Sequence, residues 1–190
     1  AVVDRREAMQ LLMGYNSFNG YVWNKLFDLQ LIRENDIRFH ADYPACEDTM
    51  FVGSYLYHCS RVCVTEECLY CYRQVSGGAN RGRYSGRKAY DPKWMSVFEM
   101  TEYMADLYKD DAVTAACRLH EVREAGIVLR SMEAAGYHGA DHARLKGILR
   151  RGAGLFFRDE NSGRSQKLSV LLSCISPKLE LAVWKLRNRK

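Results

Sequence analysis

Adjacent carboxylates, Glu47 and Asp48, sit inside the segment Tyr43-Pro44-Ala45-Cys46-Glu47-Asp48-Thr49-Met50-Phe51. A helix beginning near Glu47 places Asp48 on one stripe with Phe51, Val52, Tyr55, Leu56 and Cys59, the i, i+3, i+4, i+7 spacing of a buried face. A carboxylate aimed into an apolar face costs free energy unless it is paired, caps a backbone or does chemistry, which for a carboxylate means moving a proton. The structural alternative is a helix cap.

The cysteines and histidines offer metal chemistry less convincingly. Cys59, Cys63, Cys68 and Cys71 are spaced closely enough for thiolates to close on zinc. Yet Val62-Cys63-Val64 and Cys68-Leu69-Tyr70-Cys71-Tyr72 read as short β segments, which sends Cys68 and Cys71 to opposite sides of a strand. The paired Cys-x2-Cys units of zinc ribbons are also lacking. Seven cysteines, an odd number in a chain of 190 residues, favour reduced thiols in a cytoplasm. Of the histidines at 40, 58, 120, 138 and 142, only His138 and His142 stand i, i+4, and no metallohydrolase motif accompanies them. No metal or other cofactor is expected in this chain.

The elements that must position these groups are mainly helical. An apolar fraction of 47% and a charged fraction of 27% are those of a globular protein. No apolar run is long enough to span a bilayer, and no charged segment followed by an apolar core marks a secretory signal. Periodicity and caps predict helices over Asp4–Met13, Tyr21–Asn35, Glu47–Ser60, 92–109, 111–135, 138–151, 161–175 and 177–188. Their breaks fall at Gly14, Asp110-Asp111, Gly136, Gly152-Ala153-Gly154 and Ser176-Pro177. Ile37-Arg38-Phe39 alternates as a short strand would. Residues 76–90 hold Gly77, Gly78, Gly82 and Gly86 among Arg81, Arg83, Arg87 and Lys88, a composition that predicts a mobile loop. The expected fold class is therefore mainly α with a few short β-strands, in three stretches: 1–75, the loop 76–90, and a helical extension over 91–190.

Four segments in order, Gly20-Tyr21-Val22-Trp23-Asn24-Lys25-Leu26-Phe27, Ile37-Arg38-Phe39, Glu47-Asp48 and Leu69-Tyr70-Cys71-Tyr72-Arg73, resemble the second half of bacterial family-2 inverting glycosyltransferases. Those enzymes have the A-type glycosyltransferase fold and build capsule, exopolysaccharide and other cell-envelope glycans. The resemblance covers residues 1–75 and implies that Asp48 is the catalytic base, with Glu47 orienting the acceptor or supporting Asp48. It implies that Lys25 and Arg73 face the donor diphosphate, where cations would stabilise the leaving charge. Trp23 and Tyr72 would stack on sugar or base, with Asn24 beside them. The bland counterparts are an Asp48 cap, a solvated Lys25–Asp28 pair and a Trp23 packed in the core.

The family's nucleotide-binding half, whose Asp-x-Asp motif holds the donor through a divalent metal, Mn or Mg, has no counterpart among these 190 residues, and no Asp-x-Asp occurs in them. The resemblance thus implies the acceptor-side part of a larger enzyme, inactive by itself. Its partners would be a nucleotide-sugar donor, a glycan or lipid-linked acceptor and the missing half.

A net charge of +5 is clustered at Arg144, Lys146, Arg150 and Arg151 and at Lys185, Arg187, Arg189 and Lys190. Basic ends of this kind complement a helix dipole or meet anionic headgroups, giving peripheral contact with the inner face of a membrane. Two rival readings stand beside sugar transfer. One is a basic module gripping nucleic acid through the glycine-basic loop, with Tyr84 and Tyr90 as stacking groups, although +5 is weak for that role. The other is a scaffold whose helical half mediates docking or homodimerisation.

Overall fold

A computed structural model describes residues 1–14, 18–73 and 90–188. The glycine-basic stretch 76–88, including Tyr84, and the terminal Arg189 and Lys190 lie outside the described residues. Among those described, the chain is mainly helical, with one small two-stranded sheet and irregular connections. It forms two compact units, one of Ala1–Arg73 with Lys93–His120, the other holding Tyr90–Pro92 and the chain from Glu121. The grouping differs from a division near residue 91, because the helix after that point completes the first unit's core.

In the first unit, Asp4 caps α1 (Arg5–Met13), its Oδ1 accepting from the Glu7 amide at 2.8 Å. Strand β1 (Val2–Val3) pairs antiparallel with β2 (Val62–Cys63), Val2 opposite Cys63. Helix α1 buries Ala8, Met9, Leu12 and Met13. They meet Met50, Val52 and Leu56 of α3 (Glu47–Tyr57) and Val97, Met100 and Met104 of α4 (Ser96–Tyr108) in one core. Five fully buried methionines fill that core, their unbranched chains adapting to gaps between helices. Gly53 lets α4 come close, since a Cβ there would stand 2.7 Å from Met104 Sδ.

The predicted helix over Tyr21–Asn35 shrinks to α2 (Leu29–Glu34), capped by Asp28 through the Gln30 amide at 2.8 Å. The reason lies upstream. The carbonyls of Phe18, Asn19 and Tyr21 accept from the Lys25 ammonium, so Tyr21 O is engaged by a side chain rather than in a helical ladder. Ile37-Arg38-Phe39 is not a strand. Asp36 takes the left-handed region (φ 46°) and the Ile37 amide donates back to Ile32 O at 3.0 Å, so these residues close α2. Cys68–Tyr72 has no regular secondary structure and lies outside the sheet.

A 3-10 turn (Pro92–Met95) leads into α4. Helix α5 (Asp111–Ala135) starts in the first unit and ends in the second, with Asp110 Oδ1 accepting from the amides of Ala112 and Val113. In the second unit α6 (Ala140–Arg158), α7 (Arg164–Ile175) and α8 (Pro177–Arg187) pack in sequence. Gly152-Ala153-Gly154 does not break α6. Gly152 is a packing notch, where an added Cβ would collide with Val122 Cγ2 of α5. Gly136 does end α5, at φ +69°, with Tyr137 N donating to Met132 O at 2.9 Å and Gly136 N to Glu133 O at 3.2 Å. Among the described residues, no helix is long and apolar enough to cross a membrane.

Candidate functional site

The first unit gathers most of the residues singled out by sequence around the irregular segment 18–28. Lys25 organises it. Its Nζ lies 2.7 Å from Asn19 O and Tyr21 O, 3.1 Å from Phe18 O and 2.9 Å from Asn24 Oδ1, and it stands over the Phe18 ring at 5.0 Å. An ammonium has three protons, and four oxygens here compete for them. The positive charge therefore orders the loop, and any role facing a diphosphate would require exchanging those carbonyls. Burial lowers the Lys25 pKa to about 8, while the Asp48 carboxylate pulls it upward. Lys25 thus feels the Asp48 charge.

Asp48 is half-buried in the first turn of α3, not sunk into the core as the apolar stripe predicted. The stripe itself is real: Phe51, Val52 and Leu56 are buried, with Tyr55 and Cys59 at its border. The helix start lifts Asp48 to the rim. Nor is Asp48 the N-cap, a place taken by Cys46, which makes no side-chain cap bond. Glu47 and Asp48 instead lie in the first turn, where the helix dipole favours negative charge. Glu47 is exposed.

Trp23 is neither a core residue nor an open platform. Three tyrosine rings flank it: Tyr72 at 4.8 Å with planes 18° apart, Tyr21 at 5.1 Å and 18°, and Tyr70 at 4.6 Å and 34°. The indole is half-buried, and more of the solvent-facing aromatic surface belongs to Tyr21, Tyr70 and Tyr72, which are 40%, 52% and 55% exposed. Tyr21 and Tyr70 went unremarked in the sequence. Their signal was the two-residue spacing, Tyr21-x-Trp23 and Tyr70-x-Tyr72, which in extended chain sends both rings to one side.

Further contacts fasten the segment to α3. Gly20 approaches Thr49 so closely that an added Cβ would stand 2.8 Å from Thr49 Cα. Phe27 meets Phe51 and Tyr55 edge-on, and Tyr55 Oη accepts from the Asp28 amide at 2.8 Å. Phe39 stacks on Phe51 at 4.4 Å and 9°. Asn24 reaches Phe18 O through Nδ2 at 3.4 Å. Arg73 is exposed and is the last described residue before Tyr90.

Metal-ligating side chains converge elsewhere. Among the described residues, the three-donor group is Glu133, His138 and His142 of the second unit. Cys59, Cys63, Cys68 and Cys71 form no such group, and all seven cysteines are free thiols. The Glu133 carboxylate comes from the preceding helix, where spacing around the two histidines gave no hint of it. No family model, curated protein or solved structure matches this chain.

Proposed function

We propose that residues 1–73 form the acceptor-side part of an inverting glycosyltransferase, with Asp48 as the base that takes a proton from an acceptor hydroxyl. The reading rests on the resemblance described above. What supports it in three dimensions is that segments distant in sequence meet around α3. Trp23 stacks with Tyr70 and Tyr72, Lys25 senses Asp48, Gly20 abuts Thr49, and Phe39 covers Phe51.

The chemistry follows from the placement. A half-buried carboxylate at a helix start is accessible to a hydroxyl yet held by its first turn, as a general base must be. The exposed faces of Tyr21, Tyr70 and Tyr72 supply apolar surface on which a sugar ring can rest. Lys25 fixes the loop carrying Trp23, and so positions that surface. The donor half, with its Mn or Mg, belongs to the family's other portion.

The test is sugar transfer by the protein as encoded in its native reading frame, from labelled nucleotide sugars to envelope glycan extracts. Asp48→Asn is expected to lower transfer by about 10²–10⁴-fold, the usual contribution of a general base, with folding unchanged by circular dichroism. Undiminished transfer would remove Asp48 from the mechanism. Absence of transfer with any nucleotide sugar would sink the reading as a whole.

A further inference from the structure

We infer that Glu133, His138 and His142 form a binding site for one divalent transition-metal ion of the zinc class, independent of the sugar-transfer reading. Glu133 lies in the last turn of α5, His138 in the connection, and His142 in the first turn of α6. The connection is shaped to bring them together. Gly136 at φ +69° reverses the chain as α5 ends, and the His142 amide donates to Gly139 O at 3.1 Å as α6 begins.

The donor atoms are already clustered. His142 Nε2 is 2.8 Å from Glu133 Oε1, His138 Nδ1 is 4.0 Å from the same oxygen, and all three ligand atoms lie within 4.8 Å of one another. Two ligands on a tetrahedral zinc ion stand about 3.3 Å apart, given bonds of about 2.05 Å. Modest side-chain rotation brings this trio to that spacing.

A single Glu–His hydrogen bond explains less of the arrangement. The Glu133 side chain is only 4% exposed, and a buried carboxylate needs compensating positive charge. Two imidazoles converge on it, their rings 5.1 Å apart and nearly perpendicular. Two imidazoles and one carboxylate suit zinc, nickel or cobalt better than calcium or magnesium. The His138 side chain is 50% exposed, which gives an ion a route in and leaves room for water as a further ligand. Nearby Asp141 is engaged from outside by the Tyr90 hydroxyl at 3.0 Å, and Tyr137 packs on Tyr90. These contacts brace the turn.

The experiment uses the full chain stripped of metal and titrated with Co²⁺ and with Zn²⁺ against a chromophoric chelator. The expected result is one ion per chain, with visible cobalt bands and no near-ultraviolet thiolate-to-cobalt charge transfer. Glu133→Gln, which keeps the side-chain shape, and His138→Asn, at a half-exposed position, should each weaken binding at least tenfold. His142→Ala should abolish it where that variant folds. Thermal melting should rise with Zn²⁺ in the wild type and not in Glu133→Gln, because an ion that binds only the folded state stabilises it. Failure to saturate would overturn the proposal. So would thiolate charge transfer that survives Glu133→Gln, since the ion would then sit on the exposed cysteines.

Discussion

Trp23 and Tyr72 stack at 4.8 Å with their planes 18° apart, joining the loop before α2 to the irregular segment after β2. Removing one ring of such a stack costs about 0.5–1.5 kcal/mol beyond lost area. Tyr72→Ala should therefore lower stability by roughly 1–2 kcal/mol in denaturant unfolding. It should also shift Trp23 emission to the red as the indole gains water. If the tyrosines' outer faces carry a glycan, Tyr70→Ala and Tyr72→Ala should both weaken glycan binding. Binding unchanged in both would leave the stack as a structural clasp only.

Lys25 carries a proton with a pKa near 8 in the folded chain, against 10.5 in an ordinary lysine, because burial disfavours its charge. Between those values the unfolded chain binds more protons than the folded one, so this group makes stability rise with pH from about 8 to 10.5. Below pH 8 both states are protonated and the burial penalty is felt in full. Carbon-13 labelled lysine should show one side chain titrating near 8, missing in Lys25→Met. The stability rise in that window should flatten in the same variant. A Lys25 resonance titrating at the ordinary lysine position would refute the assignment.

What sequence could and could not foresee follows the range of the forces involved. The cap of α1 at Asp4, the break at Ser176-Pro177 and the stop at Gly136 are local, so residue types alone marked them. Helix α5 ran over the predicted 111–135. Where prediction failed, a side chain or a backbone turn that apolar periodicity does not weigh had intervened. The Lys25 ammonium took the Tyr21 carbonyl, which a helix over 21–28 would have used. Gly152 looked like a breaker because its reason, Val122 on another helix, was not local. The same holds at the candidate sites. Asp48, Lys25, Trp23 and Tyr72 were readable as residues, but the cage around Lys25 and the Glu133 partner of the histidines depend on chain reversals.

Gly152 and Gly20 should both resist enlargement, for one reason. At Gly152 a methyl would strike the tip of Val122, a side chain with some freedom to turn, so Gly152→Ala should cost about 1–3 kcal/mol. At Gly20 the obstacle includes Thr49 Cα, which cannot step aside, so Gly20→Ala should cost at least as much and should displace the Trp23 loop. Thermal unfolding of both variants checks the magnitudes. Gly154, with nothing near its Cβ position, is the control: Gly154→Ala in mid-helix should stabilise by about 0.5–1 kcal/mol.

Glu180 and Arg130 form a buried ion pair, with Arg130 Nη1 2.8 Å from Glu180 Oε1 and side chains 10% and 3% exposed. Ser169 Oγ donates to the same oxygen at 2.6 Å, and the Arg130 guanidinium stacks over Trp184 at 5.0 Å. Glu180 Oε2 has no hydrogen-bond partner among the described residues. The pair is therefore incompletely satisfied, and desolvation offsets much of its attraction. Glu180→Ala, which strands the buried guanidinium, should cost about 3–5 kcal/mol. The double variant Arg130→Met with Glu180→Leu should recover most of that loss, because no buried charge remains. A double-mutant cycle by urea unfolding separates the two outcomes. A double variant as unstable as Glu180→Ala alone would show that the pair is worth more than the apolar contacts replacing it.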